Sequence, residues 1–275
     1  MRKVLAVLLA CFFLSPSAQA FNGTATQMQM APQIPPMDTC TQLSSDWTPQ
    51  WASLKQYWRL EGTDSVPIAN DTTMPATIGL SAVMKNANGT GAQYTYGVMG
   101  AGITMDTVDD GMVVAYDSSL DYSLITISAW IKLNALPPSD LFAVVSRLQT
   151  SGFGLVIRPN GSIQFQVYSD SAIRYATSAS STIDTGNWHH LVATYDGNNL
   201  VVYMDGVARA TTPYAGVISY RINNALCIGV DAGSGTLSCT GGRRVNGAID
   251  DVAIWDVGLT AGEVATLYKR TGCTN

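Results

Sequence analysis

The chain reads as an all-β protein, an antiparallel sandwich or barrel closed by one short C-terminal helix. Three observations predict this. Thr, Val, Ser, Gly and Tyr are plentiful, whereas Glu occurs only at Glu61 and Glu263 and Lys only five times in 275 residues, so good helix formers are scarce. Runs of alternating apolar and polar residues fill the middle of the chain. Turn signals separate those runs at intervals of roughly 8–12 residues, the spacing of strands in an antiparallel sandwich.

The chain opens with an address. Arg2 and Lys3 precede Val4 to Leu14, an apolar run of eleven residues that is too short to span a bilayer. Ala18-Gln19-Ala20 then supplies a small-x-small cleavage site, so residues 1–20 read as a signal peptide and the mature chain begins at Phe21. Leu8-Leu9-Ala10-Cys11 loosely fits a lipobox. The apolar run continues past Cys11 to the better site, which favours plain export. Residues 21–39 hold Pro32, Pro35, Pro36 and three Met without periodicity, and read as a flexible lead. Residues 40–275 form the single domain expected. No second long apolar stretch occurs, so no transmembrane segment is predicted. The formal charge of −5 becomes −7 once Arg2 and Lys3 are removed, which leaves no basic face for nucleic acid.

Each predicted element follows from its residues. Ser123 to Leu133 reads SLITISAWIKL, with Leu124, Thr126, Ser128 and Trp130 opposite Ile125, Ile127, Ala129 and Ile131. Gly152 to Arg158 and Ser162 to Tyr168 flank Pro159-Asn160-Gly161, a hairpin signal. In the second of these, Ile163, Phe165 and Val167 alternate with Gln164, Gln166 and Tyr168. His190 to Tyr195, Leu200 to Met204 and Val207 to Ala210 are joined by Asp-Gly turns and make a meander. Near the end, Thr260-Ala261-Gly262-Glu263 is a capping box ahead of Val264, Leu267 and Tyr268, and predicts the short helix.

Export makes the cysteines readable. Loss of Cys11 leaves Cys40, Cys227, Cys239 and Cys273, an even count with three pairings open. Cys227–Cys239 would brace one loop and Cys40–Cys273 would tie the domain's ends, and this scheme is favoured. No CxxC spacing supports a metal reading of these thiols.

Five segments in order carry a resemblance. Trp188 to Gly197 (WHHLVATYDG) resembles the laminin-G-like jelly-roll family, within the concanavalin A-like lectin and glucanase superfamily and with the architecture of pentraxins. Gln56 to Glu61 resembles that family's opening strand, Leu124 to Lys132 its FTISAWVK strand, Leu200 to Val207 its LYVDG strand, and Gly247 to Leu259 its GxIDDVRIYNRAL strand. The resemblance spans about residues 55–270 and is weakest from Asp64 to Met112. It implies two antiparallel sheets in a jelly roll, and recognition of glycans or extracellular proteins in place of chemistry.

Site expectations follow. Hydrolases of this superfamily need two carboxylates on one strand, as in ExDxxE, and the chain has no such motif. Asp250 and Asp251 are adjacent, so strict alternation puts them on opposite faces and gives no facing pair. Alternation also sets Asp250 on one face with Val252 and Ile254, where a carboxylate needs a partner. The resemblance implies a structural calcium near this strand, and Glu61 and Asp71 are expected to join Asp250 as oxygen ligands. The other reading is that Asp250 caps backbone amides. His189 and His190 read as a packed structural pair. Ligand contacts are expected at Tyr168, Arg174 and Tyr175 on one turn, and at Tyr214, Tyr220 and Arg221 on another. Arg243 and Arg244 beside the Cys-braced Gly-rich segment are expected to favour an anionic ligand. The expected function is an exported lectin- or adhesin-like module. The alternative is a structural surface protein that binds a protein partner, and a glycoside hydrolase is the third reading. The sequence leaves the oligomeric state open.

Overall fold

The computed structural model describes residues 42–63, 67–148, 150–232, 239 and 241–271. The signal peptide, the Pro/Met-rich lead, Cys40 and Cys273 lie outside the described residues. Sixteen strands are present among those described. They are β1 (Leu54–Trp58), β2 (Thr73–Met74), β3 (Ala82–Lys85), β4 (Gln93–Tyr96), β5 (Ala101–Met105), β6 (Gly111–Val114), β7 (Ile125–Leu133) and β8 (Phe142–Ser146). They continue with β9 (Phe153–Ile157), β10 (Ile163–Ser169), β11 (Ala172–Thr177), β12 (Trp188–Tyr195), β13 (Asn199–Met204), β14 (Val207–Pro213), β15 (Leu226–Ile228) and β16 (Gly247–Trp255). One α-helix, α1 (Ala261–Thr271), follows. Among the described residues no helix is long and apolar enough to cross a membrane.

Two antiparallel sheets of eight strands make the jelly-roll sandwich. The first runs β14-β13-β12-β7-β16-β5-β4, with β1 also paired to β16. The second runs β11-β10-β9-β8-β15-β6-β3-β2. The predicted hairpin joins β9 to β10, with Gly161 at φ +71°, a left-handed conformation that glycine adopts without strain. The predicted meander is β12-β13-β14. The capping box forms as written: the Thr260 amide donates to Glu263 Oε2 at 2.8 Å and the Glu263 amide donates to Thr260 Oγ1 at 3.3 Å.

Alternation decides what each face does. Ile125, Ile127, Ala129, Ile131 and Leu133 of β7 meet Phe153, Leu155, Ile157, Ile163, Phe165 and Val167 of the other sheet in the inter-sheet core. The opposite face of the first sheet is also buried. Tyr57, Val192, Tyr203, Ala253 and Trp255 pack there under Leu43 and under Leu259, Val264 and Leu267 around α1. The second sheet carries only a small outer cluster, of Val113, Ala225, Cys227, Val230, Ala232 and Cys239. The Cys227–Cys239 disulfide is formed.

One local expectation is overturned. β16 carries a bulge between Asp250 and Ala253, with Asp251 at φ +45°. The extra residue flips the parity of the strand. Ile249, Val252 and Ile254 therefore enter the inter-sheet core, while Ala253 and Trp255 face outward. Asp250 does not share a face with Val252 and Ile254. It lies across the strand from them, against the β4–β5 turn.

Candidate functional site

The outer face of the second sheet stays open over β9, β10 and β11. Register aligns Gly154 with Gln166 and Gln166 with Tyr175, and likewise Val156 with Gln164 and Gln164 with Thr177. Each row crosses the strands on the side away from the core. A groove of about 480 Å³ lies on this face, lined by Arg158, Asn160, Ser162, Gln164, Gln166, Ile173, Tyr175, Thr177 and Ser178. Tyr175 is 54% exposed. The polar floor is cross-linked: Gln164 Nε2 donates to Thr177 Oγ1 at 2.6 Å, Gln166 Nε2 donates to Gln164 Oε1, and Arg158 reaches the same oxygen at 3.5 Å. This fixes planar amides at set angles beside one exposed ring. The described lining residues include one cationic side chain and no carboxylate.

The disulfide-braced loop borders this face. Cys227 aligns with Ser146, and Ser146 with Gly154, in the row that ends at Tyr175. Ser146 Oγ donates to Asp231 Oδ1 at 2.8 Å. Arg243 then clamps the loop, from Nε to Asp140 at 2.8 Å and from NH1 to Asp231 at 3.0 Å.

The ligand residues expected from sequence are dispersed. Tyr168 shares the open face with Gln164 and Gln166, and pairs across strands with Ile173. Tyr175 lines the groove. Arg174 points the other way and stacks on the Tyr214 ring at 5.3 Å. Tyr214 turns its hydroxyl to Ser169 and Asp170, each at 2.6 Å. Tyr220 donates to the Tyr122 carbonyl at 2.9 Å and lies 4.8 Å from the buried Arg147 guanidinium. Arg243 and Arg244 are engaged by the protein itself, Arg244 donating to the Asp110 carbonyl at 2.7 Å. Arg158, Asn160, Gln164, Gln166 and Thr177, which line the groove beside Tyr175, were not among the expected ligand contacts. Of these, Gln164 and Gln166 carried a signal, the polar half of the β10 alternation.

Glu61 and Asp250 meet at the β4–β5 turn. Asp250 Oδ2 accepts from the Val98 amide at 2.7 Å and the Met99 amide at 3.2 Å, and Glu61 Oε2 accepts from the Ala101 amide at 2.9 Å. Gly97 is required there, because a Cβ would stand 2.4 Å from Asp250 Oδ2. The bulge sends Asp251 to the same side of the strand as Tyr57, whose hydroxyl donates to Asp251 Oδ1 at 2.5 Å. Burial holds both aspartic carboxyls well above the usual carboxylate range, and Asp250 beside Asp251 and Glu61 beside both add to it. Asp250 Oδ1 and Asp251 Oδ2 are buried without a hydrogen-bond partner. Hard, orphaned carboxylate oxygens of this kind fit a cation. Asp71 is elsewhere, before β2 in the second sheet, where it pairs with Lys85.

His189 and His190 are both engaged by neighbouring side chains. His189 bridges Asp205 at 2.9 Å and Asp184 at 3.0 Å. His190 is 1% exposed and stacks on Trp130 at 5.0 Å and on Tyr268 of α1 at 6.2 Å.

The comparisons agree with this architecture. The family described as the concanavalin A-like lectin/glucanases superfamily matches residues 106–265, more than half of the chain. Among curated proteins none matches the chain. Among solved structures, domain 4 of an extracellular arabinanase from Geobacillus stearothermophilus, in complex with arabinotriose, is similar at TM-score 0.56 and 16% identity, covering 78% of this chain and 98% of that one. The binding domain of botulinum neurotoxin DC, in complex with SialylT, is similar at TM-score 0.56 and 14% identity, over 82% of this chain and 52% of that one. A structure of botulinum neurotoxin type C, whose cell entry is described as dependent upon interaction with two ganglioside molecules, gives TM-score 0.59 at 12% identity, again over 82% and 52%. The chain thus spans about half the length of these toxin chains. At such identities the likeness is one of fold.

Proposed function

The chain belongs to the concanavalin A-like lectin/glucanases superfamily, and we propose that it is an exported, non-catalytic module that binds glycans on the outer face of its second sheet. The observation that carries this reading is the groove at Tyr175. An exposed ring offers a flat apolar surface to the C–H face of a sugar, and fixed amides and hydroxyls beside it exchange hydrogen bonds with sugar hydroxyls. On the first sheet, the outer side around α1 is covered by Leu43, Leu259, Val264 and Leu267. Support comes also from the arabinotriose, SialylT and ganglioside named for proteins of the same fold. The described lining residues include no carboxylate, so the groove lacks the acid–base pair that glycoside hydrolysis needs. The disulfide and the signal-peptide pattern of residues 1–20 support export.

The reading includes a structural calcium. Asp250 and Asp251, with their orphaned oxygens, and Glu61 would hold it, and its charge would offset three carboxylates gathered beside one turn.

The test is a glycan array probed with the purified protein, with calcium and again with chelator. Selective signal that Tyr175→Ala removes supports the groove as the site. Selective signal that survives Tyr175→Ala moves the site elsewhere on the fold. No signal in either condition overturns the glycan reading and favours the alternative, a surface protein that recognises a protein partner.

A further inference from the structure

We infer that the groove at Tyr175 selects acidic oligosaccharides, with Arg158 receiving the anionic group, a uronate carboxylate or a sulfate ester. This rests on the glycan reading of the groove and names the ligand class which that reading leaves open. Arg158 is exposed and is the one cation among the described lining residues, which include no carboxylate. Among the described residues no ion pair involves Arg158. Arg243, at the border of the same face, is by contrast consumed by Asp140 and Asp231. The contact of Arg158 with the floor, from NH1 to Gln164 Oε1, is long at 3.5 Å. At that length it orients the side chain and leaves most of the five guanidinium N–H donors for a ligand.

The balance of donors and acceptors points the same way. Gln164 is 3% exposed, and its Oε1 already accepts from Gln166 Nε2 and Arg158. Asn160 Oδ1 is taken by the Ser162 amide at 3.1 Å and the Ser162 hydroxyl at 2.7 Å, and Ser178 Oγ donates to the Ala179 carbonyl at 3.1 Å. Thr177 Oγ1 accepts from Gln164 Nε2, so its own proton is left to give. The guanidinium, the second Gln166 N–H and the Thr177 and Tyr175 hydroxyls therefore make the groove rich in donors. A neutral sugar hydroxyl also needs an acceptor, whereas an oxyanion only accepts. The planar guanidinium fork matches two oxygens of a carboxylate or sulfate.

Register sets the length of the ligand. Arg158 lies opposite Ser162, whose carbonyl accepts from the Arg158 amide at 2.9 Å. The row of Gln164 and Thr177 comes next, and the row of Gln166 and Tyr175 after it. Successive rows on one face are about 7 Å apart, which puts Arg158 and Tyr175 on rows about 14 Å apart along the strands. One sugar ring does not cover both. The ring stacked on Tyr175 and the acidic group at Arg158 then belong to different sugars of one chain.

The test is a glycan array of matched pairs, each uronate or sulfated glycan beside its methyl-esterified or desulfated counterpart. It is probed with the purified full protein at fixed ionic strength, circular dichroism confirming the fold of each variant. Wild type is expected to prefer the acidic member of a pair at least tenfold. Arg158→Gln should bring that ratio close to one. Arg209→Gln, which removes the same charge from an exposed position on β14 of the other sheet, should keep it. Preference confined to uronates or to sulfated glycans identifies the source of the charge. Preference for uncharged members that Tyr175→Ala removes would keep the groove as a glycan site and overturn this inference alone. Acidic preference that survives Arg158→Gln, or falls equally in Arg209→Gln, also overturns it. Absence of any signal overturns the glycan reading and this inference with it.

Discussion

Ser128 Oγ lies 2.8 Å from His190 Nε2, and both side chains are buried under α1. A serine oxygen within reach of an imidazole is the arrangement of an activated nucleophile. Here Trp130 and Tyr268 stack over the ring and leave no path for a substrate. The pair serves the packing of α1 on the first sheet. Burial pulls the His190 pKa down to about 4, against 6.5 for a free imidazole. The native state therefore holds His190 neutral. This contribution to stability is whole above pH 6.5 and is lost as pH falls towards 4, amounting to about 3 kcal/mol at most. His189 acts in the opposite sense: its hydrogen bonds to Asp205 and Asp184 raise its pKa, so its contribution is present below pH 6.5 and fades as pH rises through the raised value. Urea midpoints measured from pH 7 to pH 4 should fall more steeply in wild type than in His190→Gln. Parallel curves would refute this account of acid sensitivity.

Tyr175→Ala should weaken glycan binding at least tenfold. The side chain is exposed and outside both cores, so stability should change by less than about 0.5 kcal/mol. Binding isotherms paired with thermal melts separate the two effects. A large loss of stability would mean that the ring has a structural duty.

Arg243→Ala should behave in the reverse way. Arg243 ties Asp140 to Asp231 at the edge of the disulfide-braced loop, and Asp231 is 8% exposed at its side chain. The Asp140 arm is exposed and adds little, so the loss is about 1 kcal/mol, mainly from leaving Asp231 Oδ2 without its ion partner while Ser146 still holds Oδ1. Glycan affinity should stay within twofold. Abolished binding in a protein of unchanged stability would instead restore the double Arg as a ligand contact.

Reduction of Cys227–Cys239 should lower the melting temperature. The bond closes a loop of sequence separation 12, and the chain-entropy argument assigns such a loop about 3 kcal/mol. The comparison is wild type with and without reductant beside Cys227→Ala/Cys239→Ala. A melting temperature insensitive to both treatments would show that Arg243 and Asp231 suffice to hold the loop.

The fold was legible because its signals are local. Ile163, Phe165 and Val167 alternate with Gln164, Gln166 and Tyr168, Asn160-Gly161 marks a turn, and Thr260 to Glu263 caps a helix within four residues. The site was legible only in part. Tyr175 was named, but the residues beside it come from other strands whose register is set by pairing. Arg243 was read as available because Asp140 lies 103 residues away in sequence. The bulge at Asp251 has no sequence signature in a run as regular as Ile249 to Ile254, so alternation gave the wrong face for Asp250.

The position of β16 has a consequence for how the molecule is made. The last strand lies in the middle of the first sheet, with β7 along one edge and β5 and β1 along the other. Until residues 247–255 emerge, β7 and β5 have no rung between them, and the earlier strands present open hydrogen-bonding edges. Such long-range pairing makes folding slow and leaves nascent chain exposed to mispairing. A truncation before Gly247 should yield an aggregating fragment and not a smaller domain.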